Sequence, residues 1–226
     1  MPTLIIELEG PMQSWGYRSR FSERDTGREP SKSGVIGILA ASLGRSRDAD
    51  LTDLAALKFG IRADREGVIK KEFQTALQVI KADGSTPGTQ ITNRYYLSGA
   101  RFIAGFEGGR EKLSELRNAL LHPVFSQFLG RRSYVPSVPL AINGRECIFD
   151  YPLSDALCLY PVKNLQQYYD EKRLRIVRDA YEGEESATQD FRQDVPVSFA
   201  RKEYLVRKVI THWLVIESEG AKNVHL

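Results

Sequence analysis

The loop near the start of the chain combines the two side-chain types that bind unpaired nucleic acid. Between Gln13 and Arg28 it interleaves aromatic residues with arginines, namely Trp15, Tyr17, Phe21, Arg18, Arg20, Arg24 and Arg28. Aromatic rings stack on bases for about 1–3 kcal/mol each, and cationic side chains hold the phosphates. Two more clusters are similar: Asn93-Arg94-Tyr95-Tyr96 and Leu129-Gly130-Arg131-Arg132-Ser133-Tyr134. One such cluster is usually surface and core mixed together, but three in one chain favour nucleic-acid binding.

A possible phosphate site follows this loop. The segment from Gly27 to Gly34 is similar to a phosphate loop, but Ser31 stands where a nucleotide-binding loop needs glycine. Nucleotide binding is therefore not expected. Ser31, Lys32 and Ser33 lie at a predicted helix start, where unpaired N–H groups and the helix dipole favour an anion. A backbone phosphate would suit them, although an ordinary helix cap with a solvated lysine explains these residues equally well.

Few residues could support catalysis or bind a metal. The three histidines, His122, His212 and His225, show no metal-ligand spacing and form no recognisable Ser/His/Asp arrangement. Cys147 and Cys158 lack a Cys-x-x-Cys partner, so we expect two core thiols and no metal or cofactor. Because metal-independent RNA cleavage needs only a general acid and base, a ribonuclease stays open.

Composition indicates a cytoplasmic globular protein with an uneven charge. The 226 residues are 42% hydrophobic and carry a net charge of +3, but residues 94–145 carry +5 and residues 146–200 carry −5. Such blocks are either solvated faces or a polyanion site beside an acidic lobe that faces elsewhere. The longest apolar stretch, Val35 to Leu43, is too short to span a membrane, and no basic leader precedes the first apolar run.

The elements that would position these residues follow from hydrophobic patterning. We expect five strands in the first half of the chain, two of them paired in a hairpin, a helix from Ser31 or Ser33 whose small residues approach a sheet, a second helix at Leu51–Leu57, and a later amphipathic helix. The strands are Thr3–Glu9, with one buried face, Phe59–Ala63, the hairpin Phe73 to Leu97, and Arg101–Phe106; the later helix is Glu111–Leu121. Further strands are expected at Ala156–Tyr160, Tyr204–Val209 and Thr211–Ile216.

This order indicates an α+β fold of the ferredoxin type, with helices on one face of an antiparallel sheet. The predicted organisation is a domain over residues 1–130 that includes a hairpin at 72–97. A smaller, β-rich part then covers residues 131–226.

Five ordered motifs resemble the CasD family, the subunits of type I-E Cascade, which belong to the repeat-associated mysterious proteins (RAMPs). They are Gly10-Pro-Met-Gln-Ser-Trp-Gly16, Pro30-Ser-Lys-Ser-Gly-Val-Ile-Gly37, Arg94-Tyr-Tyr-Leu97, Leu129-Gly-Arg-Arg-Ser133 and Phe199-Ala-Arg-Lys-Glu-Tyr204. The resemblance implies a ferredoxin-like, RRM-related domain with a hairpin thumb. It also implies a non-catalytic subunit of the interference complex in antiviral defence, which binds the 5′ handle of the CRISPR RNA (crRNA).

The same resemblance implies partners and contacts. The partners would be crRNA, a backbone subunit and a large subunit, with target DNA reached through the assembled complex. Residues implied to contact RNA are Gln13, Trp15, Arg18, Arg20, Ser31, Lys32, Ser33, Arg94, Tyr95, Arg131 and Arg132. The main alternative is a metal-independent endoribonuclease that processes precursor crRNA, as in the type I-C branch; the other is an unrelated globular interaction protein.

Overall fold

The computed structural model describes residues 1–16, 22–80, 84–85, 88–142, 144–163, 173–186 and 188–216. The strands are β1 Thr3–Glu9, β2 Met12–Gln13, β3 Glu23–Arg24, β4 Lys58–Arg65, β5 Val68–Val79, β6 Gly88–Ser98, β7 Arg101–Glu107, β8 Ile148–Phe149, β9 Arg173–Asp179, β10 Gln189–Ser198 and β11 Glu203–Val215. The helices are α1 Lys32–Ser42, α2 Thr52–Ala55, α3 Arg110–Leu121 and α4 Leu153–Leu159. Within those ranges, no helix combines the length and apolar character that a membrane crossing requires.

Seven strands form one antiparallel sheet in the order β10-β11-β9-β4-β7-β1-β8. The pairing of β4 with β9 joins the C-terminal strands to the N-terminal ones, with Ile61 opposite Val177. Residues 203–215 form one continuous strand where the sequence indicated two. The α+β class and the antiparallel sheet are therefore confirmed, and the C-terminal strands extend the main sheet.

Helices cover both faces of this sheet. Leu4, Ile6 and Leu8 of β1 point into the cluster that contains residues of α1 and α3. Ile5, between them, points into a second cluster with Leu153 and Leu157 of α4. The predictions that helices cover one face, and that Thr3–Glu9 has one buried face, are therefore wrong.

The helix α4 replaces the strand predicted at Ala156–Tyr160. Its buried residues Leu153, Ala156 and Leu157 have the spacing of one helical face. A short apolar run is ambiguous between strand and buried helix, and here the residues just before the run decide the outcome. Pro152, which lies at the N-cap, suits a helix start because its missing N–H needs no partner there.

Helix α1 has the ends that the sequence indicates. Ser31 is the N-cap, and its hydroxyl accepts a hydrogen bond from the N–H of Gly34. Gly44 has a φ of +75°, and the N–H of Arg45 donates to the carbonyl of Ala40, which is a Schellman closure. The large residues of α1 face the core, whereas a Cβ on Gly37 would meet only the ring of Phe199, at 3.7 Å. The prediction that its small residues all approach the sheet is therefore wrong for Gly37.

A second sheet is built on β6. Its antiparallel partner is β5, in a register that runs from Val68 opposite Ser98 to Val79 opposite Gly88, so the predicted hairpin is confirmed and starts earlier than Phe73. The other edge of β6 pairs with β2 and β3. The hairpin exposes large apolar residues, among them Phe73 at 62% and Leu77 at 73%.

Candidate nucleic-acid interface

Three of the sequence motifs meet at the base of the hairpin. The N–H of Ser14 donates to the carbonyl of Leu129, and its hydroxyl donates to the carbonyl of Tyr95. Gly130 has a φ of +93°, and a Cβ there would lie 1.7 Å from the carbonyl oxygen of Ser14. The loop after β1, the end of β6 and the glycine-rich loop are therefore in backbone contact, which only glycine at position 130 allows.

The start of α1 joins the same assembly through Trp15. The Trp15 side chain is 1% exposed, and a Cβ on Gly34 would lie 2.9 Å from its ring. Its Nε1 donates to Oε1 of Gln13, whose own Nε2 donates to the carbonyls of Leu8 and Ala100. Gln13 is fully buried as well. Both side chains are engaged inside the protein, where they hold the loop after β1, and their contacts with RNA stay predictions.

The predicted phosphate site at the helix start already contains a carboxylate. The Lys32 N–H donates to Oδ2 of Asp194 at 2.7 Å, and the Lys32 Nζ lies 3.3 Å from Oδ2 of Asp179. Burial lowers the pKa of the Lys32 ammonium group, and Asp179 opposes that effect. Ser31 is 2% exposed, whereas Ser33 is only partly buried. The phosphate contacts of these residues stay predictions, but Asp194 occupies the position that a phosphate would need.

Arg94 lies beside another arginine at the base of the hairpin. It is in register with Arg24 of β3 on one side and with Glu72 of β5 on the other. Residues in register on neighbouring strands share a face, so Arg24 and Arg94 project together. The Nε of Arg94 is buried and has no hydrogen-bond partner in the described part of the chain. Neither arginine forms an ion pair with a carboxylate in the described part of the chain.

Arg131 adds a third guanidinium group to this base. Its NH1 donates to the Tyr134 hydroxyl at 2.8 Å, and its NH2 donates to the carbonyls of Tyr95 and Arg24. These acceptors are neutral, and no described carboxylate forms an ion pair with Arg131, although Glu72 is in register with Arg94. Arg132, the next residue, is exposed. The structure therefore brings Arg24, Arg94 and Arg131 together. The Tyr95 ring lies on the opposite face of β6, beside Lys71, and Arg18 and Arg20 lie outside the described residues.

The arginines of the basic segment, residues 94–145, fall into two groups, those that form ion pairs and those that do not. Arg101 and Arg145 bind the buried Glu7, and Arg110 binds Asp150. The arginines at the base of the hairpin, in contrast, have no carboxylate partner among the residues described. Much of the acidic segment is neutralised internally, because Asp179 and Asp194 both bind Arg207. The predicted acidic face is therefore in part a set of buried ion pairs.

Sequence reasoning did not assign Arg24 to the site. It belongs to the first aromatic and arginine cluster, but it lies outside the motifs that carry the family resemblance. Its place in that cluster was the sequence signal that could have assigned it to the site. Its position beside Arg94 requires the parallel β3–β6 pairing, which joins segments about seventy residues apart and has no local sequence signature.

Nothing described near this base has the arrangement of a metal centre. Over the described ranges, no group of three or more His, Cys, Asp or Glu residues could hold a metal ion. Burial raises the pKa of the Cys147 and Cys158 thiols. His122 is exposed at the end of α3, His212 lies in β11, and His225 falls outside the described residues.

Comparison with known proteins identifies the family of the chain. The family described as CRISPR-associated protein Cas5 matches residues 3–210, which span all of the motifs above. The chain belongs to the Cas5 family. The CRISPR system Cascade subunit CasD of Escherichia coli (strain K12) is 33% identical over 159 residues, which cover 62% of this chain and 70% of CasD. The resemblance to the CasD family is therefore confirmed.

Two solved structures are similar to this Cas5 protein over nearly its whole length. One, described as the crystal structure of a Cas protein, is 40% identical with a TM-score of 0.74, and the match covers 94% of this chain and 95% of that one. The other belongs to a CRISPR RNA-guided surveillance complex and is 29% identical with a TM-score of 0.81, covering 96% and 91%.

Proposed function

We propose that this chain is a non-catalytic RNA-binding subunit of a type I-E CRISPR interference complex, in the cytoplasm, and that it binds the 5′ handle of crRNA. One observation carries the proposal: Arg24 and Arg94 are in register at the base of the hairpin, the Arg131 guanidinium group contacts the Arg24 carbonyl, and no described carboxylate forms an ion pair with these arginines. Such a cluster favours a polyanion, because arginine binds phosphate oxygens in a planar, bidentate geometry. Tyr95, the next residue of β6, presents its ring on the opposite face of that strand beside Lys71, where an unpaired base could stack on it.

The relatives support the assembly that this function requires. CasD is a Cascade subunit, and one structural relative is part of an RNA-guided surveillance complex. The proposed partners are therefore crRNA, a backbone subunit and a large subunit, with target DNA reached through the complex. The apolar residues exposed on the hairpin support a protein contact there, since apolar patches of this kind mark interaction surfaces.

Strand connectivity supports the finer fold assignment. Strands β4, β7, β1 and β8 are adjacent in that order, and α1 and α3 lie between them in the chain, which is the βαββαβ arrangement of a ferredoxin-like unit. We assign that unit to the proposed RAMP domain and the β5–β6 hairpin to its thumb. Because β8 is Ile148–Phe149, the unit extends beyond the boundary expected at residue 130.

A binding assay in EDTA tests the function. Labelled single-stranded repeat RNA should bind without being cut, with log K falling against log salt by about 0.7 for each phosphate contacted. A duplex of the same sequence is the control and should bind more weakly, because its bases are not available for stacking. Binding without any salt dependence would contradict the phosphate contacts. Specific cleavage in EDTA would instead support the processing ribonuclease.

A further inference from the structure

An open groove runs along the outer face of α1, on the side that its small residues occupy. It has a volume of about 620 Å³, and its floor contains Gly34, Gly37 and Ala41. Phe125, Phe128 and Phe199 line its sides. From Gly34 to Ala41 the helix rises by about 10 Å. The Trp15 ring packs against Gly34, so the helix backbone is accessible to a flat group at Gly37, between aromatic side chains.

The groove is preformed, because hydrogen bonds fix its walls to the end of α1. The N–H groups of Val124 and Phe125 donate to the carbonyls of Ser42 and Ala41. On the opposite side, the N–H of Ala200 donates to the carbonyl of Arg47, which holds the chain beside Phe199. Binding of a ligand would therefore lose little conformational entropy through ordering of the groove walls.

Its ends connect it to the arginine cluster and to a further positive charge. Gly130 and Ser33 lie at one end, so the groove continues directly from the glycine-rich loop that carries Arg131. Arg45 and Arg47 lie at the other end. Asp53 neutralises Arg45 through two hydrogen bonds of 2.5 and 2.6 Å, whereas Arg47 is exposed and pairs with no described carboxylate.

We propose that this groove binds one unpaired base of the RNA, stacked against the phenylalanine rings, with the adjoining phosphate at Arg47. The inference rests on the proposed RNA-binding function and adds a second contact region to it. RNA is favoured over a protein side chain because the groove joins the arginine cluster at one end and has an uncompensated arginine at the other. A base suits the aromatic walls because every base offers a π-face, whatever its identity.

Substitutions at Gly37 test the groove with a matched control. Gly37→Met would fill it, while Gly37→Ala adds only a methyl group in ordinary contact with Phe199. Both raise helix propensity, so neither should unfold α1. We expect Gly37→Met to weaken repeat RNA binding about 5- to 150-fold in fluorescence anisotropy, the range of one lost stacking contact, and Gly37→Ala to weaken it less. Asn118→Met, which adds the same side chain at an exposed position of α3, should leave it unchanged. Phe125→Ala, at a side chain that is 54% exposed, is a second variant with the same expected loss.

An abasic scan identifies the occupant. A single abasic nucleotide is placed at each position of the RNA in turn. At one position it should weaken binding by the wild type but cause no further loss in Gly37→Met, since both changes remove the same contact. If Gly37→Met binds RNA like the wild type while Arg94→Ala does not, the groove proposal fails and the RNA-binding function stands. If Gly37→Met binds RNA normally but no longer assembles with other Cascade subunits, a protein occupies the groove and the proposal also fails. Absence of RNA binding by the wild type would overturn both proposals.

Discussion

The N–H of Lys32 and the carboxylate of Asp194 form a hydrogen bond of 2.7 Å although the residues are 162 positions apart. Asp194 therefore serves as the anion at the start of α1, in the position where the sequence suggested a phosphate. Asp179 binds the Lys32 ammonium group, so backbone and side chain of one residue contact two different strands. The N-terminal helix and the C-terminal strands are joined by buried charges at this point.

Lys32→Ala should reduce stability and leave the RNA affinity of the folded protein unchanged. The substitution removes one of the two cations that bind the Asp179 carboxylate. Arg207 stays bound to it at 2.6 Å, so the cost should be smaller than the roughly 3–5 kcal/mol of a buried charge left without any partner. Urea denaturation gives the stability, and anisotropy with repeat RNA gives the affinity. A stable variant with weak RNA binding would restore Lys32 to the phosphate-binding residues.

Arg94→Ala and Arg24→Ala should each weaken RNA binding by about 1.5–3 kcal/mol, the usual contribution of a hydrogen bond to a charged group. The magnitude of the log–log salt slope should fall by about 0.7 for each phosphate contact removed. Arg110→Ala is the matched control, because Arg110 is exposed and bound to Asp150. Equal losses in all three variants would show that general charge, rather than this cluster, binds the RNA.

Gly130→Ala should disrupt the junction at the base of the hairpin. The new Cβ would lie 1.7 Å from the carbonyl oxygen of Ser14, so the glycine-rich loop has to move away from the first loop. Gly144→Ala is the control, because Gly144 also has a positive φ but nothing lies within 4 Å of its Cβ position. That control should cost only the left-handed strain of about 1–2 kcal/mol. Thermal unfolding and RNA affinity should separate the two variants, and similar values for both would contradict the junction.

Acid should weaken the Arg178–Glu184 pair in a defined pH range. The hydrogen bond from Arg178 lowers the pKa of Glu184 from 4.5 to about 2. Since the pKa is lower in the folded state, the pair stabilises the fold fully above pH 4.5 and loses this effect as pH falls towards 2. The stability difference between wild type and Glu184→Gln, from urea denaturation, should therefore shrink over that range. Glu185→Gln, at an exposed neighbour, should show no such trend.

Local signals in the sequence predict the parts of the fold that depend on neighbouring residues. Ser31 caps α1 and Gly44 closes it because both act within one helical turn. The hairpin follows from alternation along two adjacent strands. The motifs also mark the three segments that contain Ser14, Tyr95 and Gly130, but nothing in the sequence indicates that these segments meet.

Long-range partners account for what the sequence did not predict. Nothing near Lys32 indicates that Asp179 and Asp194 will neutralise it. Trp15 was expected to contact RNA, but its ring is buried in the core, where it packs against Gly34 because that residue has no side chain. The helix α4 was predicted as a strand because its apolar run is short and its burial on the second face of the sheet depends on β4 and β7.

The strand β6 has one consequence for engineering chimeras between family members. It pairs with β5 along one edge and with β2 and β3 along the other, so the hairpin and the first loop share a single strand. A graft that exchanged only residues 68–98 would pair a foreign strand with the native Met12–Gln13 and Glu23–Arg24 segments. A transferable hairpin therefore has to include residues 12–24, and the two segments should be exchanged together.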